Sequence, residues 1–248
     1  VNNLVVGNDG GLVIVDSEDS DLSTLTDFNG SITLSENLDK AAGDTIDIIK
    51  GVTNESFLNA GNTFAANLTN SVVETDNGVR VHTFGDAAAT KDSLSVTVKD
   101  SILAGTYIDS SETSTGTTTE LTVDTSVNAS KIAGIYSLNG GASKGSLTIS
   151  GVTLGDEKHA VNLYGGYSET GLVNGNQVTI NSSTVSGTVY GGYNGIGGVY
   201  QNHVTINSGT VNGEVYGGYS ENGVAYQNHV TISGGKADGT VYGGYSKN

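Results

Sequence analysis

The feature that most constrains the fold of this sequence is a phrase, Tyr-Gly-Gly-Tyr, that returns at a fixed interval. Its four copies begin at Tyr164, Tyr190, Tyr216 and Tyr242, so that consecutive copies are 26 residues apart. A fixed step of this length is typical of a repeat protein, because each unit is too small to bury its own hydrophobic face and stacks on its neighbours instead. We therefore expect a stack of like units.

Other phrases keep the same step. A Val-Thr-Ile run follows Asn176, Asn202 and Asn228, so each unit holds two β-type runs separated by Gly, Asn and Ser turn residues. Weaker copies of this run precede them, namely Leu147-Thr148-Ile149, Leu121-Thr122-Val123 and Val96-Thr97-Val98. Weaker copies of the Val-Tyr step are Ile135-Tyr136 and Thr106-Tyr107. The intervals between the weaker copies drift, as insertions into loops would cause.

The length and composition of the unit select one architecture. Helical repeats need helix-forming residues, whereas these units consist of Val, Thr, Ile, Tyr, Gly and Asn. A propeller blade needs about 40 residues, and the LxxLxL phrase of a leucine-rich repeat is missing. The sequence therefore predicts an all-β protein, a parallel β-helix with coils of about 26 residues. A homotrimeric β-prism is the alternative, but the unit is long for one strand per chain per layer.

The predicted organisation has two parts. Residues 1–90 form an N-terminal cap and irregular first coils, in which the spacing of Phe57, Leu58, Phe64 and Leu68 suggests a short capping helix. Residues 91–248 form the β-helix repeats, which are most regular over 161–248. A cap is expected because the open end of a β-helix exposes unpaired strand edges.

Alternation along a strand divides each unit into inward and outward side chains. In the Val-Thr-Ile run it sends Val and Ile inward and Thr outward. Asn176, Asn202 and Asn228 share the inward parity and predict a buried asparagine ladder, in which each amide bonds the next.

The outward positions predict ladders of like residues, which are the candidate binding site. On the Val-Thr-Ile strand they are Gln177, His203 and His229, then Thr179, Thr205 and Thr231, then Asn181 and Asn207. Beside Val189, Tyr190 points outward and predicts a tyrosine column of Tyr164, Tyr190, Tyr216 and Tyr242, with the second tyrosine of each phrase at a corner. Tyrosine ladders either stabilise the sheet by stacking or present a recognition surface for sugars or proteins.

The net charge and the absence of known motifs exclude several classes of function. The net charge is −16 without a basic stripe, which excludes nucleic acid as a partner. The chain contains no Cys, no HExxH and no P-loop, and two histidines alone do not complete a metal site. We expect no enzymatic activity, no cofactor and no metal. A polysaccharide-active β-helix enzyme stays an alternative, since the Asp residues of 86–124 offer carboxylates.

The 26-residue unit, the Gly-, Asn-, Ser- and Thr-rich composition without Cys, and the acidic balance resemble the passenger domains of bacterial autotransporter adhesins, most firmly over 161–248. The resemblance implies a right-handed β-helix, display at the bacterial cell surface from an outer-membrane anchor or secretion, and attachment to another copy or to a host glycan or protein.

The resemblance and the ladders together predict an adhesin, with a spacer stalk as a further alternative. The sequence begins at Val1 without a signal segment, contains no apolar run of about 18 residues, and ends soon after a fresh copy of the phrase. We therefore expect an excised passenger fragment that is not inserted in a membrane.

Overall fold

The computed structural model describes residues 3–6, 12–13, 31–34, 40–50, 71–85, 88–89, 93–110 and 118–248. The chain forms two compact units, one of Val1–Thr75 and Arg80–Ser101 and the other of Asp76–Val79 and Ile102–Asn248. Every regular element of the described residues is a β-strand. The described part of the chain therefore holds no helix that could cross a bilayer. The helix predicted near residues 57–68 lies outside the described residues.

The first unit holds the early strands, with β6 and β8 containing residues of both units. These strands are β1 (Asn3–Val6), β2 (Leu12–Val13), β3 (Ser31–Leu34), β4 (Thr45–Lys50), β5 (Ser71–Thr75), β6 (Gly78–Phe84), β7 (Ala88–Ala89) and β8 (Ser93–Ile108). β1 pairs with β3 in parallel, and β4 pairs with β8 in the antiparallel sense.

One predicted repeat falls in the first unit and is wrong. Val96-Thr97-Val98 lies in the antiparallel pair, where Val96 is opposite Ile46, and it joins no stack of Val-Thr-Ile strands. Val96 and Val98 are buried as the alternation predicts. Alternation is the same in any half-buried strand, so it could not reveal the partner.

The second unit is a parallel β-solenoid whose coils contribute strands to four sheets. The tyrosine sheet contains the end of β8 with β10 (Lys131–Ser137), β14 (Asn162–Ser168), β18 (Val189–Asn194), β22 (Val215–Ser220) and β26 (Val241–Ser246). The threonine sheet contains β9 (Thr119–Val123), β12 (Gly145–Ser150), β16 (Gln177–Asn181), β20 (His203–Ile206) and β24 (His229–Ile232).

Two sheets of shorter strands join these long ones. The corner sheet contains β11 (Ala142–Ser143), β15 (Val173–Asn174), β19 (Val199–Tyr200) and β23 (Ala225–Tyr226). The fourth sheet contains β13 (Thr153–Leu154), β17 (Ser183–Val185), β21 (Gly209–Val211) and β25 (Lys236–Ala237). All strand pairs within these four sheets of the second unit are parallel, with Tyr164 opposite Tyr190 and Val178 opposite Val204. This in-register stack confirms the predicted β-solenoid with coils of about 26 residues.

The weaker Val-Thr-Ile copies of the first coils are confirmed in register. Leu121 lies opposite Leu147, and Leu147 lies opposite Val178. The weaker Val-Tyr copies are in the stack but at another position, because Tyr136 and Tyr107 align with Tyr167, the second tyrosine of its phrase. The sequence could not distinguish the two alignments, because a residue pair that ends in tyrosine matches either tyrosine of the repeated phrase.

The core is a column of aliphatic side chains from the long sheets. Val178, Ile180, Val204 and Ile206 are fully buried, which confirms the inward parity of Val and Ile. Burying a side chain of this size contributes about 1.5–3 kcal/mol, so a stack of such positions stabilises each coil through its neighbours.

The asparagine ladder is also confirmed. The backbone N and the Nδ2 of Asn176 donate to Oδ1 of Asn202 at 2.9 and 2.8 Å. The same two atoms of Asn202 donate to Oδ1 of Asn228 at 3.0 and 2.9 Å. In the coil before Asn176, Gly145 takes the ladder position and its backbone N donates to Oδ1 of Asn176 at 2.7 Å. Each amide therefore links two coils within the core.

The ladder explains a glycine of the repeated phrase. A Cβ at Gly192, the second glycine of its copy, would lie 2.6 Å from Cγ of Asn202. Gly166 faces Asn176 in the same way. The glycine and the asparagine recur with the same period because the asparagine side chain fills the space that the glycine leaves free.

The core contains a second buried polar column, of Ser and Asn side chains, that was not predicted from the sequence. Ser137, Ser168, Asn194 and Ser220, each following the second tyrosine position, are fully buried and aligned. The Oγ of Ser168 donates to the carbonyl of Gly140 in the preceding coil at 2.6 Å. The residue after the repeated phrase thus ties neighbouring turns together, and its strict recurrence as Ser or Asn was the available signal.

Candidate functional site

The threonine face is the outer surface of the threonine sheet, and it brings together the predicted polar ladders. Gln177, His203 and His229 lie in one column, Thr179, Thr205 and Thr231 in the next, and Asn181 and Asn207 in the third. The structure adds outward residues of the earlier coils to these columns: Glu120, Thr122, Ser146, Thr148 and Ser150.

Polar contacts on the threonine face run along the columns. Nδ2 of Asn207 donates to Oδ1 of Asn181 at 2.9 Å. Oγ1 of Thr231 lies 3.1 Å from Nε2 of His203, and the rings of His203 and His229 have centroids 6.1 Å apart. An amide or a hydroxyl has more donor and acceptor positions than one such bond uses, so the columns keep hydrogen-bonding capacity toward solvent.

The charge of the threonine face differs from that of the chain. From β12 to β24 the outward positions are Ser, Thr, Gln, Asn and His, with no carboxylate or Lys. Burial, and then the neighbouring His229, lower the pKa of His203, which favours its neutral form. With His counted as neutral, as it is in the net charge of −16, four coils of the face therefore hold no charged side chain.

The tyrosine face is the outer surface of the tyrosine sheet, and it consists of two stacked columns. The first column is Tyr164, Tyr190, Tyr216 and Tyr242, with neighbouring centroids 5.0–5.2 Å apart and planes within 6°. The second column is Tyr107, Tyr136, Tyr167, Tyr193, Tyr219 and Tyr245. The columns meet edge to face, as between Tyr190 and Tyr193 at 5.4 Å.

Mutual stacking changes what the tyrosine face can offer to a ligand. Tyr164 and Tyr216 are only 5% and 6% exposed. Tyr190 and Tyr242 stack on the two faces of Tyr216, whereas Tyr164 has one stacked ring, Tyr190, and rings of the second column beside it. The surface that remains consists of ring edges and hydroxyl groups. Stacking on a sugar or on another ring is thus blocked in the middle of the columns.

Carboxylates border the tyrosine face. The hydroxyl of Tyr216 donates to Oε2 of Glu214 at 2.7 Å, and the hydroxyl of Tyr193 donates to Oε1 of Glu221 at 3.2 Å. Burial, then the neighbouring Tyr219 and Glu214, raise the pKa of Tyr190 to about 12. The hydroxyls are therefore protonated donors at neutral pH, and the face carries negative charge at its rim.

The described residues form neither a hydrolase nucleophile motif nor a metal centre. Gly141-Ala142-Ser143-Lys144-Gly145 matches the GxSxG pattern of a hydrolase nucleophile, but Ser143 ends a two-residue strand that leads into strand β12, whereas that motif needs a strand, a turn and a helix. Within the described ranges no three His, Asp or Glu side chains come close enough to hold a metal ion.

Coils stacked in register, with ladders inside and out, define the second unit as a β-solenoid repeat protein. Comparisons with protein-family models, with curated proteins and with solved structures found no match. The assignment to a class thus rests on the fold and the columns themselves.

Proposed function

We propose that this chain is an adhesin module that associates with a second copy of itself through the threonine face. The observation that carries the proposal is the uncharged, hydrogen-bonding surface of the last four strands of the threonine sheet, on a chain with a net charge of −16. Two acidic chains repel each other, and a neutral face is where they approach at the lowest electrostatic cost.

The tyrosine face supports self-association less well. Glu169, Glu214 and Glu221 line it, so two copies would bring like charges together there. Its ring faces are already in contact with other tyrosines of the same chain. We therefore assign the tyrosine columns mainly to the stability of the solenoid and the threonine face to contact with a partner.

Repetition along the face supplies the binding strength. Each coil contributes the same kind of outward side chains one strand spacing above the last, about 4.8 Å. One Thr or Asn contact is weak, but contacts along four coils act together, and many displayed copies raise the avidity further. Display at a bacterial cell surface, or secretion, is part of the proposal and is supported by the resemblance to autotransporter passengers.

A charge placed in the middle of the threonine face tests the proposal. Thr205→Lys is expected to weaken self-association more than about tenfold, because the two-fold contact of a self-associating face juxtaposes like charges. The measurement is sedimentation velocity over a concentration series at low and moderate salt.

The matched control is Thr210→Lys, on the fourth sheet of the same coil and of comparable exposure. It adds the same charge and is expected to leave self-association intact. Equal weakening by both variants would show that the effect comes from the change in net charge and not from the threonine face. A wild-type chain that stays monomeric at all concentrations would favour the spacer stalk or a host ligand instead.

A further inference from the structure

A shallow groove of about 300 Å³ lies on the corner sheet, away from both faces described above. Its lining residues come from three successive coils and are Leu172, Asn174, Tyr200, Gln201, Tyr226 and Gln227. Leu172, Val224 and Tyr226 are 47%, 57% and 57% exposed, so apolar surface is concentrated here. An apolar concavity with a few polar groups is the usual form of a ligand site.

The two tyrosines of the groove differ from those of the tyrosine face. The Tyr200 ring lies against Gly198, where a Cβ would clash with it. Tyr226 has Val224 at the equivalent position, stands out into solvent, and meets Tyr200 at 74° with centroids 6.2 Å apart. Tyr226 is therefore the exposed aromatic side chain against which a ligand can pack.

Amide groups surround the rings. Gln201 and Gln227 adopt left-handed backbone angles, with φ of 53° and 54°, and Nε2 of Gln201 lies 3.4 Å from Oε1 of Gln227. The same left-handed turn occurs at Lys144 and Gly175 in the preceding coils, so it belongs to the repeated corner of the solenoid and sets the position of both amides. Asn174 also lines the groove, but its Oδ1 is buried, so the exposed amides of the lining are those of Gln201 and Gln227.

We propose that this groove binds a neutral saccharide, which packs its C–H face on Tyr226 and shares its hydroxyls with the exposed amides of Gln201 and Gln227. The lining contains no charged side chain, so a phosphate, a uronic acid or an ammonium group finds no counter-charge. The acidic chain as a whole also repels anions. Adjacent hydroxyls, in contrast, match the paired donor and acceptor of a side-chain amide. The site is independent of the self-association proposed above.

A titration tests the proposal. Neutral gluco-, galacto- and manno-oligosaccharides are added to the chain, and binding is measured by isothermal calorimetry and by NMR. Binding to at least one neutral series is expected, and Tyr226→Ala is expected to weaken it more than about tenfold, with Tyr226→Phe retaining most of it. The control variant is Ile196→Ala, which removes an exposed apolar side chain outside the lining.

Three results would overturn the site: no binding to any neutral series, equal loss in Ile196→Ala, or tighter binding of matched uronic-acid oligosaccharides. Thr205→Lys separates this site from the threonine face, since it is expected to leave saccharide binding unchanged. Loss of self-association with saccharide binding intact supports two independent surfaces, and the loss of both in Thr205→Lys would contradict the separate groove.

Discussion

Asn202→Ala is expected to lower the free energy of unfolding by about 3–5 kcal/mol. The substitution removes the acceptor of two buried donors, the backbone N and the Nδ2 of Asn176, and removes one donor from Oδ1 of Asn228. A buried group left without a partner costs about 1–3 kcal/mol, and these groups lie in a core that water does not reach. Urea denaturation followed by circular dichroism measures the change.

Asn207→Ala is the matched control, because it changes the same residue type in the same coil on the solvent side. Its single ladder bond, to Oδ1 of Asn181, is exposed, so the expected loss is below about 0.5 kcal/mol. If Asn202→Ala proved no more destabilising than this control, the asparagine ladder would not be a source of stability.

Alkaline pH is expected to unfold the solenoid by ionising the tyrosine columns. The pKa of Tyr190 is raised in the fold to about 12, above the usual value of about 10, so its protonated form is favoured by folding. Its contribution is fully present below pH about 10 and is lost as the pH rises through 12. For Tyr190 alone the loss is about 3 kcal/mol, at 1.4 kcal/mol for each unit of pKa. Denaturation curves at a series of alkaline pH values, with the phenolate absorbance recorded in parallel, measure it.

Tyr190→Phe tests the assignment to this column, since Phe keeps the stacked ring and cannot ionise. The variant is expected to match the wild type near neutral pH and to lose less stability between pH about 10 and 12. Identical alkaline profiles for variant and wild type would show that ionisation of Tyr190 is not coupled to folding.

The sequence predicted those parts of the fold that depend on parity and period. Alternation placed Val178 and Ile180 inside and Thr179 outside, and the constant interval placed Asn176 under Asn202. Both inferences need only the strand geometry that all β-structure shares.

The rest depends on contacts that the period does not encode. The prediction that the second tyrosine of each phrase lies at a corner is wrong. Both tyrosines lie on one face of the same strand because the intervening glycines break the alternation, and so their rings cover one another. The groove depends on Gly198, against which the Tyr200 ring lies, and on Val224, which replaces that glycine in the next coil. In the sequence this difference between coils is indistinguishable from ordinary variation. Alternation correctly predicted that Val96 is buried, but the predicted parallel stacking of its strand was wrong. The alternation of side chains does not specify which strand is the partner.

Disulfide trapping tests the self-association of the threonine face most directly, because the chain contains no cysteine of its own. A single cysteine is placed at the centre of the face by Thr205→Cys and, as a control, on the fourth sheet of the same coil by Thr210→Cys. The proposal predicts that mild oxidation at concentrations where the chain associates gives a covalent dimer of Thr205→Cys in high yield and little of Thr210→Cys. Equal yields from both positions, or a dimer of Thr210→Cys alone, would contradict the threonine face as the contact between copies.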